Sequence, residues 1–271
     1  MTPGGATRVA GIIGDPVSHS RSPAIHNAAF AASGIDWVFV AFAVPRGMAA
    51  RALDGVRALD IAGLSVTMPH KSDAAGACDE LTPSAAALGA VNTVVARDRA
   101  LLGDSTDGEG LLRSLHDEGV DPTGMRVVVL GAGGAARAIV HALGGQGASV
   151  TVAARRLDAA EAAAALTPAG AAISMDTVGG AVAACDVLVN ATPLGMRGER
   201  PPFPAEALTG RRLVVDTVYH PAATPLLEEA RARGVPHANG LGMLVHQAAI
   251  AFETFTGAPA PLDVMRAAAT A

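Results

Sequence analysis

The sequence predicts an α/β protein with two domains. Segments typical of buried strands alternate with helical segments through most of the 271 residues, and such alternation is characteristic of parallel sheets. Turn-forming residues cluster in GVDPTG, at 119–124, and the strand and helix pattern restarts directly after them. A chain of this length forms two domains more often than one. We therefore expect two α/β domains that meet near this turn-rich region.

Composition narrows the classes of function. Half of the residues are apolar but only 3% are aromatic, so the core must be built from Ala, Val, Leu and Ile. A net charge of −5 provides no basic surface for nucleic acid or for an anionic membrane, and neither is expected as a partner. A small-molecule ligand is the better expectation.

The cysteines and the apolar runs bear on the location of the protein. Cys78 and Cys185 are the only cysteines, and neither lies in a metal-ligand spacing, so we expect buried reduced thiols and no metal site. No uncharged apolar run approaches the roughly eighteen residues of a membrane helix, and the N-terminus lacks the pattern of a signal peptide. A cytoplasmic protein is therefore expected.

The first part of the chain has the pattern of a separate α/β unit. Its predicted elements alternate in type, with strands at 8–13, 37–43 and 63–66 and helices at 23–33, 46–59 and 82–90. Two short strands within 91–102 flank a polar turn at 97–99, and a glycine-rich polar loop then leads into a helix at 109–118. Strands alternating with helices in this way indicate a parallel sheet.

The second part repeats this alternation with new elements. Strands are predicted at 127–130, 149–153, 187–190 and 213–216, and helices at 135–143, 157–166 and 225–233. A further helix at 241–255 follows a unit that is already complete, so we expect it to return to the first domain. The predicted domains are therefore residues 1–107 plus 240–271, and residues 108–239.

The stretch RVVVLGAGGAAR, at 126–137, predicts a nucleotide-binding turn. A buried strand runs into Gly131, Gly133 and Gly134, and Ala135 starts a helix. The first glycine permits the turn, the second lets the backbone approach a pyrophosphate, and the helix N-terminus directs its amides at the phosphates. Small-residue turns of this kind also occur for packing alone, but the pattern favours a Rossmann-type domain.

The end of the next strand bears on the choice of nucleotide. About twenty residues after the glycines, an acidic residue indicates NAD and an arginine indicates NADP. Here the positions hold Ala154, Arg155 and Arg156, with no carboxylate before Asp158. Paired arginines can be solvated surface charge, but basic residues are disfavoured at the start of a helix, and a ligand phosphate explains them better. We therefore predict NADP.

Polar residues of the first domain form a candidate substrate site. They follow predicted strands, where loops at the carboxyl ends of parallel strands bind ligands; the set is Ser18, His19, Ser20, Ser22, Ser65, Thr67, Lys71, Asn92 and Asp107. Any single serine is explained by turn chemistry. Together the set suits a small, polyhydroxylated anion.

Lys71 and Asp107 are the candidate reacting pair. A carbonyl that accepts hydride from a nicotinamide needs a proton donor at its oxygen, and a lysine beside a carboxylate can supply that proton and hold an anionic substrate. The alternative is a purely structural ion pair.

Eight ordered motifs make the chain resemble the shikimate dehydrogenase family along nearly its whole length. They are GDPVSHSRSPAIHN at 14–27, SVTMPHK at 65–71, GAVNT at 89–93, GDSTDG at 103–108, GAGGAAR at 131–137, NATPLGM at 190–196, DTVYHPAATPLL at 216–227 and GLGMLVHQAA at 240–249.

The resemblance implies a reaction and a role for each matching residue. The reaction is reversible NADPH-dependent reduction of 3-dehydroshikimate to shikimate, with Lys71 and Asp107 as the catalytic pair. Substrate-binding roles are implied for Ser20 and Ser22 at the carboxylate, for Thr67, Asn92 and Gln247 at the hydroxyls and ring, and for Tyr219 near the carboxylate. Cofactor-binding roles are implied for Gly131, Gly133, Gly134, Ala135, Arg155, Gly240 and Met243.

Departures from the family pattern leave alternatives open. The basic motif for the 2′-phosphate is matched only at Arg155, because Ala154 removes an amide contact and Arg156 replaces a hydroxyl. Ser65 and Ser105 stand where many relatives have asparagine. The alternatives are a quinate or aminoshikimate dehydrogenase and, from another class, a regulatory module that binds shikimate-like molecules without turnover. A monomer or a homodimer is expected.

Overall fold

The computed structural model describes residues 2–271, which form two compact units. Unit 1 comprises the chain up to Thr106 together with Val245–Ala271, and unit 2 comprises Asp107–Leu244. The two-domain α/β fold is therefore confirmed. The second boundary lies inside a continuous helix, whereas the sequence placed it before that helix, because nothing in the helical pattern marks an interruption.

Unit 1 contains a six-stranded sheet with the order β2-β1-β3-β5-β6-β4. Its elements up to residue 104 are β1 (Arg8–Gly14), α1 (Ser22–Ala32), β2 (Trp37–Ala43), α2 (Ala49–Ala58), β3 (Gly63–Val66), α3 (Lys71–Ala75), β4 (Glu80–Leu81), α4 (Pro83–Leu88), β5 (Thr93–Arg97) and β6 (Ala100–Asp104). The expected parallel arrangement holds for the first three strands. Strand β5 is antiparallel to β3, and it forms an antiparallel hairpin with β6 whose turn contains Asp98 and Arg99, both with positive φ.

Unit 2 contains a second six-stranded sheet, which is wholly parallel, with the order β12-β11-β10-β7-β8-β9. The remaining elements are α5 (Asp107–Asp117), β7 (Arg126–Leu130), α6 (Gly134–Gly145), β8 (Ser149–Ala154), α7 (Leu157–Ala164), β9 (Gly170–Ser174), α8 (Val178–Ala184), β10 (Val187–Asn190), β11 (Leu213–Asp216), α9 (Pro225–Ala232), β12 (His237–Ala238), α10 (Leu241–Thr256) and α11 (Leu262–Thr270). This is the doubly wound order of dinucleotide-binding domains, with its switch point between β7 and β10.

The unit 2 sheet is apolar on both faces. Val127 and Val129 of β7 pack into one cluster, and Val128 and Leu130 pack into another. Neighbouring residues of a strand point to opposite faces, so a continuous apolar run is what a sheet covered by helices on both sides requires.

The C-terminal segment belongs to unit 1, because α11 packs against α1.

Cys185 is buried as expected, whereas Cys78 is only partly buried, and burial raises the pKa of the Cys78 thiol to about 11. Across residues 2–271, no helix has the length and apolar character needed to span a membrane.

Candidate active site

Main-chain bonds hold the loops after β1 and β3 together in unit 1. The Thr67 N–H donates to the carbonyl of Ile13 at 3.0 Å, and the Asp15 N–H donates to the carbonyl of Met68, also at 3.0 Å. The two loops that contain the predicted serines and the predicted lysine are therefore neighbours, as parallel strands require.

His70 adds the end of β2 to this arrangement. Its Nε2 lies 2.7 Å from the carbonyl of Val44, and its N–H donates to the carbonyl of Thr67 at 3.0 Å. The Val44 N–H donates in turn to the carbonyl of Gly14 at 3.1 Å. Three strand ends are thus joined directly before Lys71.

Ser20 and Ser22 lie at the start of α1. The Ser22 N–H donates to Ser20 Oγ at 3.2 Å, and the Ser20 N–H donates to the carbonyl of Val17 at 3.0 Å. The first turn of α1 contains no acidic residue. Two hydroxyls at the positive end of a helix dipole suit a carboxylate ligand.

Lys71 is tied to the GAVNT segment through its main chain. It begins α3, and its carbonyl accepts from the Val91 N–H at 2.9 Å. The next residue, Asn92, donates its N–H to the carbonyl of Asp104 at 3.0 Å and accepts from the Val66 N–H at 2.7 Å. Lys71 and Asn92 are therefore held in one bonded segment.

Thr106 is the centre of a buried polar cluster. The Asn92 Oδ1 accepts from the Thr106 N–H at 2.8 Å, and the Asn92 Nδ2 donates to Thr106 Oγ1 at 2.9 Å. The same hydroxyl lies 3.3 Å from the Gln247 carbonyl, to which it can donate. Since Asn92 is 3% exposed and Thr106 is 1% exposed, water does not compete for these bonds.

Asp107 follows Thr106 in the chain and begins α5, in unit 2. It is 7% exposed. A carboxylate in the first turn of a helix is stabilised by the helix dipole. The Asn92–Thr106 bonds thus determine where the main chain enters this helix.

The turn after β7 in unit 2 requires glycine at its first position. Gly131 has φ +107, and a Cβ there would lie 2.9 Å from the carbonyl of Ala191. Its N–H donates to the carbonyl of Ala153 at 2.8 Å. The nucleotide-binding turn therefore lies against the loop that follows β10.

The N-terminus of α6 is open. Gly133 and Gly134 are exposed, Ala135 is partly buried, and a Cβ on Gly133 would meet no atom of the described chain within 4 Å. Gly133, at the N-cap position, supplies no side-chain cap, and the first turn contains no acidic residue. A helix start of this kind suits a phosphate group.

The two arginines after β8 differ in their partners. Arg156 Nη2 lies 2.5 Å from Asp158 Oδ2, and Arg156 Nε lies 3.2 Å from Asp158 Oδ1. The exposed guanidinium of Arg155 forms no hydrogen bond or ion pair with the residues that the structure describes. Arg155 is therefore the arginine that is available to a ligand.

One buried carboxylate joins the loops after β10 and β11. Asp216 is fully buried; its Oδ1 accepts from Asn190 Nδ2 at 2.9 Å and from the Val218 N–H at 3.0 Å. Its Oδ2 accepts from Thr224 Oγ1 at 2.6 Å. Burial raises the pKa of this carboxyl, and the three donors oppose the shift.

Three predicted ligand contacts lie near this network or in the core. Tyr219 follows Val218, whose carbonyl accepts from the Gly240 N–H at 3.1 Å. A Cβ on Gly240 would clash with the Thr217 carbonyl, so this position requires glycine. Met243 was expected beside the nicotinamide, and the structure places it, 8% exposed, in the apolar core of unit 2.

Motif matching did not single out Thr106, Asn190, Asp216 or Thr224 as contributors to the site. Asn190 and Asp216 are register partners, and each ends a strand that is otherwise Val and Leu. A polar residue that closes a buried strand was the signal that could have identified them.

Three family descriptions match successive parts of the chain. Residues 12–94 match the shikimate dehydrogenase substrate binding domain, and residues 115–195 match shikimate / quinate 5-dehydrogenase. Residues 240–270 match the shikimate 5'-dehydrogenase C-terminal domain.

Individual relatives are similar over nearly the full length. A shikimate dehydrogenase (NADP(+)) of Symbiobacterium thermophilum is 45% identical, over 98% of this chain and 95% of its own. A crystal structure of shikimate dehydrogenase in complex with NADP+ has a TM-score of 0.94 and 36% identity, over 99% of this chain and 96% of its own. Shikimate 5-dehydrogenase from Thermus thermophilus, in complex with NADP(H) and shikimate, has a TM-score of 0.90 and 35% identity, over 97% and 99%. The chain therefore belongs to the shikimate dehydrogenase family.

Proposed function

We propose that this chain catalyses the reversible, NADP-dependent reduction of 3-dehydroshikimate to shikimate. The observation that carries the proposal is the bonded series in unit 1 that connects Lys71, Val91, Asn92 and Thr106, the residue before Asp107. The series begins at Lys71 and ends at the residue that precedes Asp107 in the chain. The activity named for the relatives supports the same reaction.

The residues of unit 2 fit NADP. The turn at Gly131 and the uncapped start of α6 suit the pyrophosphate, and the available guanidinium of Arg155 suits the 2′-phosphate. When bound, the nicotinamide supplies the hydride to the substrate carbonyl carbon in reduction and receives it in oxidation. Gly240 contributes backbone beside it in this proposal.

Lys71 and Asp107 perform the proton transfer. In reduction the Lys71 ammonium donates a proton to the carbonyl oxygen as negative charge develops there, and in oxidation the amine removes the proton of the hydroxyl. The Asp107 carboxylate accepts a hydrogen bond from a substrate hydroxyl in this proposal.

The remaining polar residues orient the substrate. Ser20 and Ser22 bind the carboxylate at the start of α1, with Tyr219 contributing nearby. Thr67, Asn92 and Gln247 bind the hydroxyls and the ring. Because the loops of Thr67 and Asn92 are held by main-chain bonds, their side chains are positioned before the substrate arrives, which limits the entropy lost on binding.

A steady-state assay tests the proposal by following NADPH absorbance with shikimate, quinate and aminoshikimate, each with NADP and with NAD. We expect the highest kcat/KM for shikimate with NADP. Absence of turnover with every polyol would contradict an enzymatic function and favour a regulatory module.

The quinate dehydrogenase alternative predicts a different result in the same assay. NAD-linked enzymes of this type require an acidic residue near the ribose, and Arg155 occupies that position here. A higher kcat/KM for quinate with NAD would replace the proposed substrate and cofactor together.

A further inference from the structure

We propose that Asp158 limits the affinity of this chain for the 2′-phosphate of NADP by holding Arg156 away from it. The inference rests on the proposed NADP-binding role of unit 2. It makes Asp158 a specificity-determining residue, although Asp158 itself does not contact the phosphate in this arrangement.

The evidence is the unequal pairing of two adjacent arginines. Arg156 presents its Nε and Nη2 atoms to the two oxygens of Asp158, at 3.2 and 2.5 Å. Arg155, next to it, has no such partner among residues 2–271. Two guanidinium groups are therefore present at the end of β8, but only one is available.

Geometry explains why the pairing matters. The Nε and Nη2 edge of a guanidinium is the edge that binds a carboxylate or a phosphate in a bidentate manner. While Asp158 occupies that edge, Arg156 cannot offer it to a phosphate. The ion pair is also neutral as a unit, so the net positive charge of this turn comes from Arg155 alone.

Two features keep the carboxylate charged in this position. Asp158 lies in the first turn of α7, where the helix dipole favours an anion. The guanidinium of Arg156, through its hydrogen bonds, holds the pKa of the Asp158 carboxyl below its ordinary range. The carboxylate therefore remains charged, and able to pair with Arg156, at neutral pH.

The fold does not depend on this ion pair. The side chains of Arg156 and Asp158 are 78% and 66% exposed, and exposed pairs contribute little to stability. Replacing Asp158 with Asn keeps the shape, removes the charge and leaves Arg156 able to rotate toward a ligand.

Calorimetric titration of the whole chain tests the inference independently of catalysis. The ligand is adenosine 2′,5′-bisphosphate, and 5′-AMP is the matched ligand that lacks the 2′-phosphate. We expect Asp158→Asn to bind the bisphosphate about three- to tenfold more tightly, with unchanged 5′-AMP binding. Arg156→Ala alone should weaken bisphosphate binding by less than Arg155→Ala does, because it leaves the Asp158 charge without its counter-ion but removes no contact to the phosphate. In the double variant, which combines Asp158→Asn with Arg156→Ala, the gain in bisphosphate affinity should disappear.

Glu161→Gln is the matched control, because Glu161 is an exposed carboxylate further along the same helix. An equal gain in Glu161→Gln would mean a general charge effect and would overturn the inference. An unchanged bisphosphate affinity in Asp158→Asn would also overturn the inference. The same holds for a gain in affinity that survives in the double variant, or for a loss of affinity in Arg156→Ala as large as that in Arg155→Ala.

Failure of the proposed cofactor is recognised separately. If Arg155→Ala leaves bisphosphate affinity unchanged and the parent chain does not prefer the bisphosphate to 5′-AMP, the 2′-phosphate role of Arg155 is wrong. The comparison between Asp158→Asn and its double variant still decides the role of Asp158.

Discussion

The two units build their binding loops in opposite ways. In unit 1 the candidate substrate loops are connected by buried bonds, with Asn92 and Thr106 almost inaccessible to water. In unit 2 the turn after β7 is exposed at Gly133 and Gly134 and offers main-chain amides. The difference follows from the ligands proposed. A polyol with defined stereochemistry needs fixed side chains, whereas a pyrophosphate needs only N–H groups and a helix dipole.

The interiors of the units also differ. His26 lies in an aromatic cluster of unit 1, stacked on Phe39 with ring centroids 4.2 Å apart, and neither of its ring nitrogens has a hydrogen-bond partner in the described chain. Burial lowers the pKa of His26 to about 3. In unit 2 the buried Asp216 has a raised pKa. Acid therefore weakens unit 1 through His26, whereas the shift at Asp216 acts in the opposite direction.

The largest effect is expected from Lys71→Ala. Removing the proton donor should lower kcat about a thousandfold or more with a modest change in KM, because the ammonium acts on charge that develops in the transition state. Lys71→Arg keeps the positive charge but cannot release a proton at neutral pH, so it should be nearly as slow. Steady-state kinetics with shikimate and NADP measure both; near-normal turnover in either variant would contradict the assignment.

Substitutions at Thr106 test the buried hydrogen bonds of unit 1. Thr106→Val removes the hydroxyl that accepts the hydrogen bond from Asn92 Nδ2, and should cost about 1–3 kcal/mol in the free energy of unfolding. We expect kcat/KM for shikimate to fall about ten- to a hundredfold, with NADP affinity unchanged because the cofactor residues are in unit 2. Thr106→Ser keeps the hydroxyl and should recover most of the loss. Equal damage in both variants would contradict the assignment to the hydroxyl alone, because Thr106→Ser keeps the hydroxyl and loses only the methyl group.

The acid sensitivity of unit 1 is tested at His26. With an unfolded pKa of about 6.5 and a folded pKa of about 3, the unfolded state binds more protons between these values, so stability falls as pH decreases through this window. From pH 6.5 to pH 5 the loss attributable to His26 is roughly 2 kcal/mol. His26→Phe keeps the aromatic packing and should remove this dependence in urea titrations at several pH values.

Hydrogen exchange sharpens the His26 prediction. At pH 5 we expect amides of unit 1 to open more readily relative to those of unit 2 than at pH 7, and His26→Phe should remove the difference. An identical pH dependence of stability in the variant would locate the acid-sensitive group elsewhere.

The smallest effect is expected at the nucleotide turn. Gly131→Ala places a side chain at φ +107 against the Ala191 carbonyl, at a cost of about 1–2 kcal/mol. NADP affinity should fall about five- to tenfold, while binding of shikimate, measured by calorimetry, stays unchanged. Gly145→Ala, at the C-terminal end of α6, where a Cβ also meets open space, is the control for side-chain bulk outside the proposed binding turn. A loss of shikimate affinity in Gly131→Ala would contradict the independence of the two sites.

Strong periodicity made most of the fold predictable. The strands at 187–190 and 213–216 were predicted with the bounds that the structure has, because Val and Leu run unbroken between polar ends. Short or small-residue elements were missed, including β4, β9, α8 and α11. Alanine and glycine occur in helices, strands and turns alike. Segments rich in them therefore show neither the helical period nor the strand period of apolar residues.

The site was predictable only as a set of motifs. Sequence proposed Lys71, Asn92 and Asp107 as site residues because each lies in a recognisable segment, but it did not indicate that Thr106 bonds to both Asn92 and Gln247. Asn92 and Gln247 are far apart in the chain, and only the packing of α10 against the loop after β6 lets both bond to Thr106.

The two-domain α/β fold and NADP as the expected cofactor could be predicted from local patterns, namely the apolar period, the placement of glycine and the residues at a strand end. The family could be predicted from the resemblance of eight ordered motifs. Tertiary structure decided which polar groups are paired. It placed Asp216 in a network with Asn190 and Thr224, buried Met243 in the core, and paired Arg156 with Asp158 while leaving Arg155 available. A hydrogen bond or an ion pair forms only when the donor and acceptor are placed to within a few tenths of an ångström. No pattern of residue types specifies positions that closely.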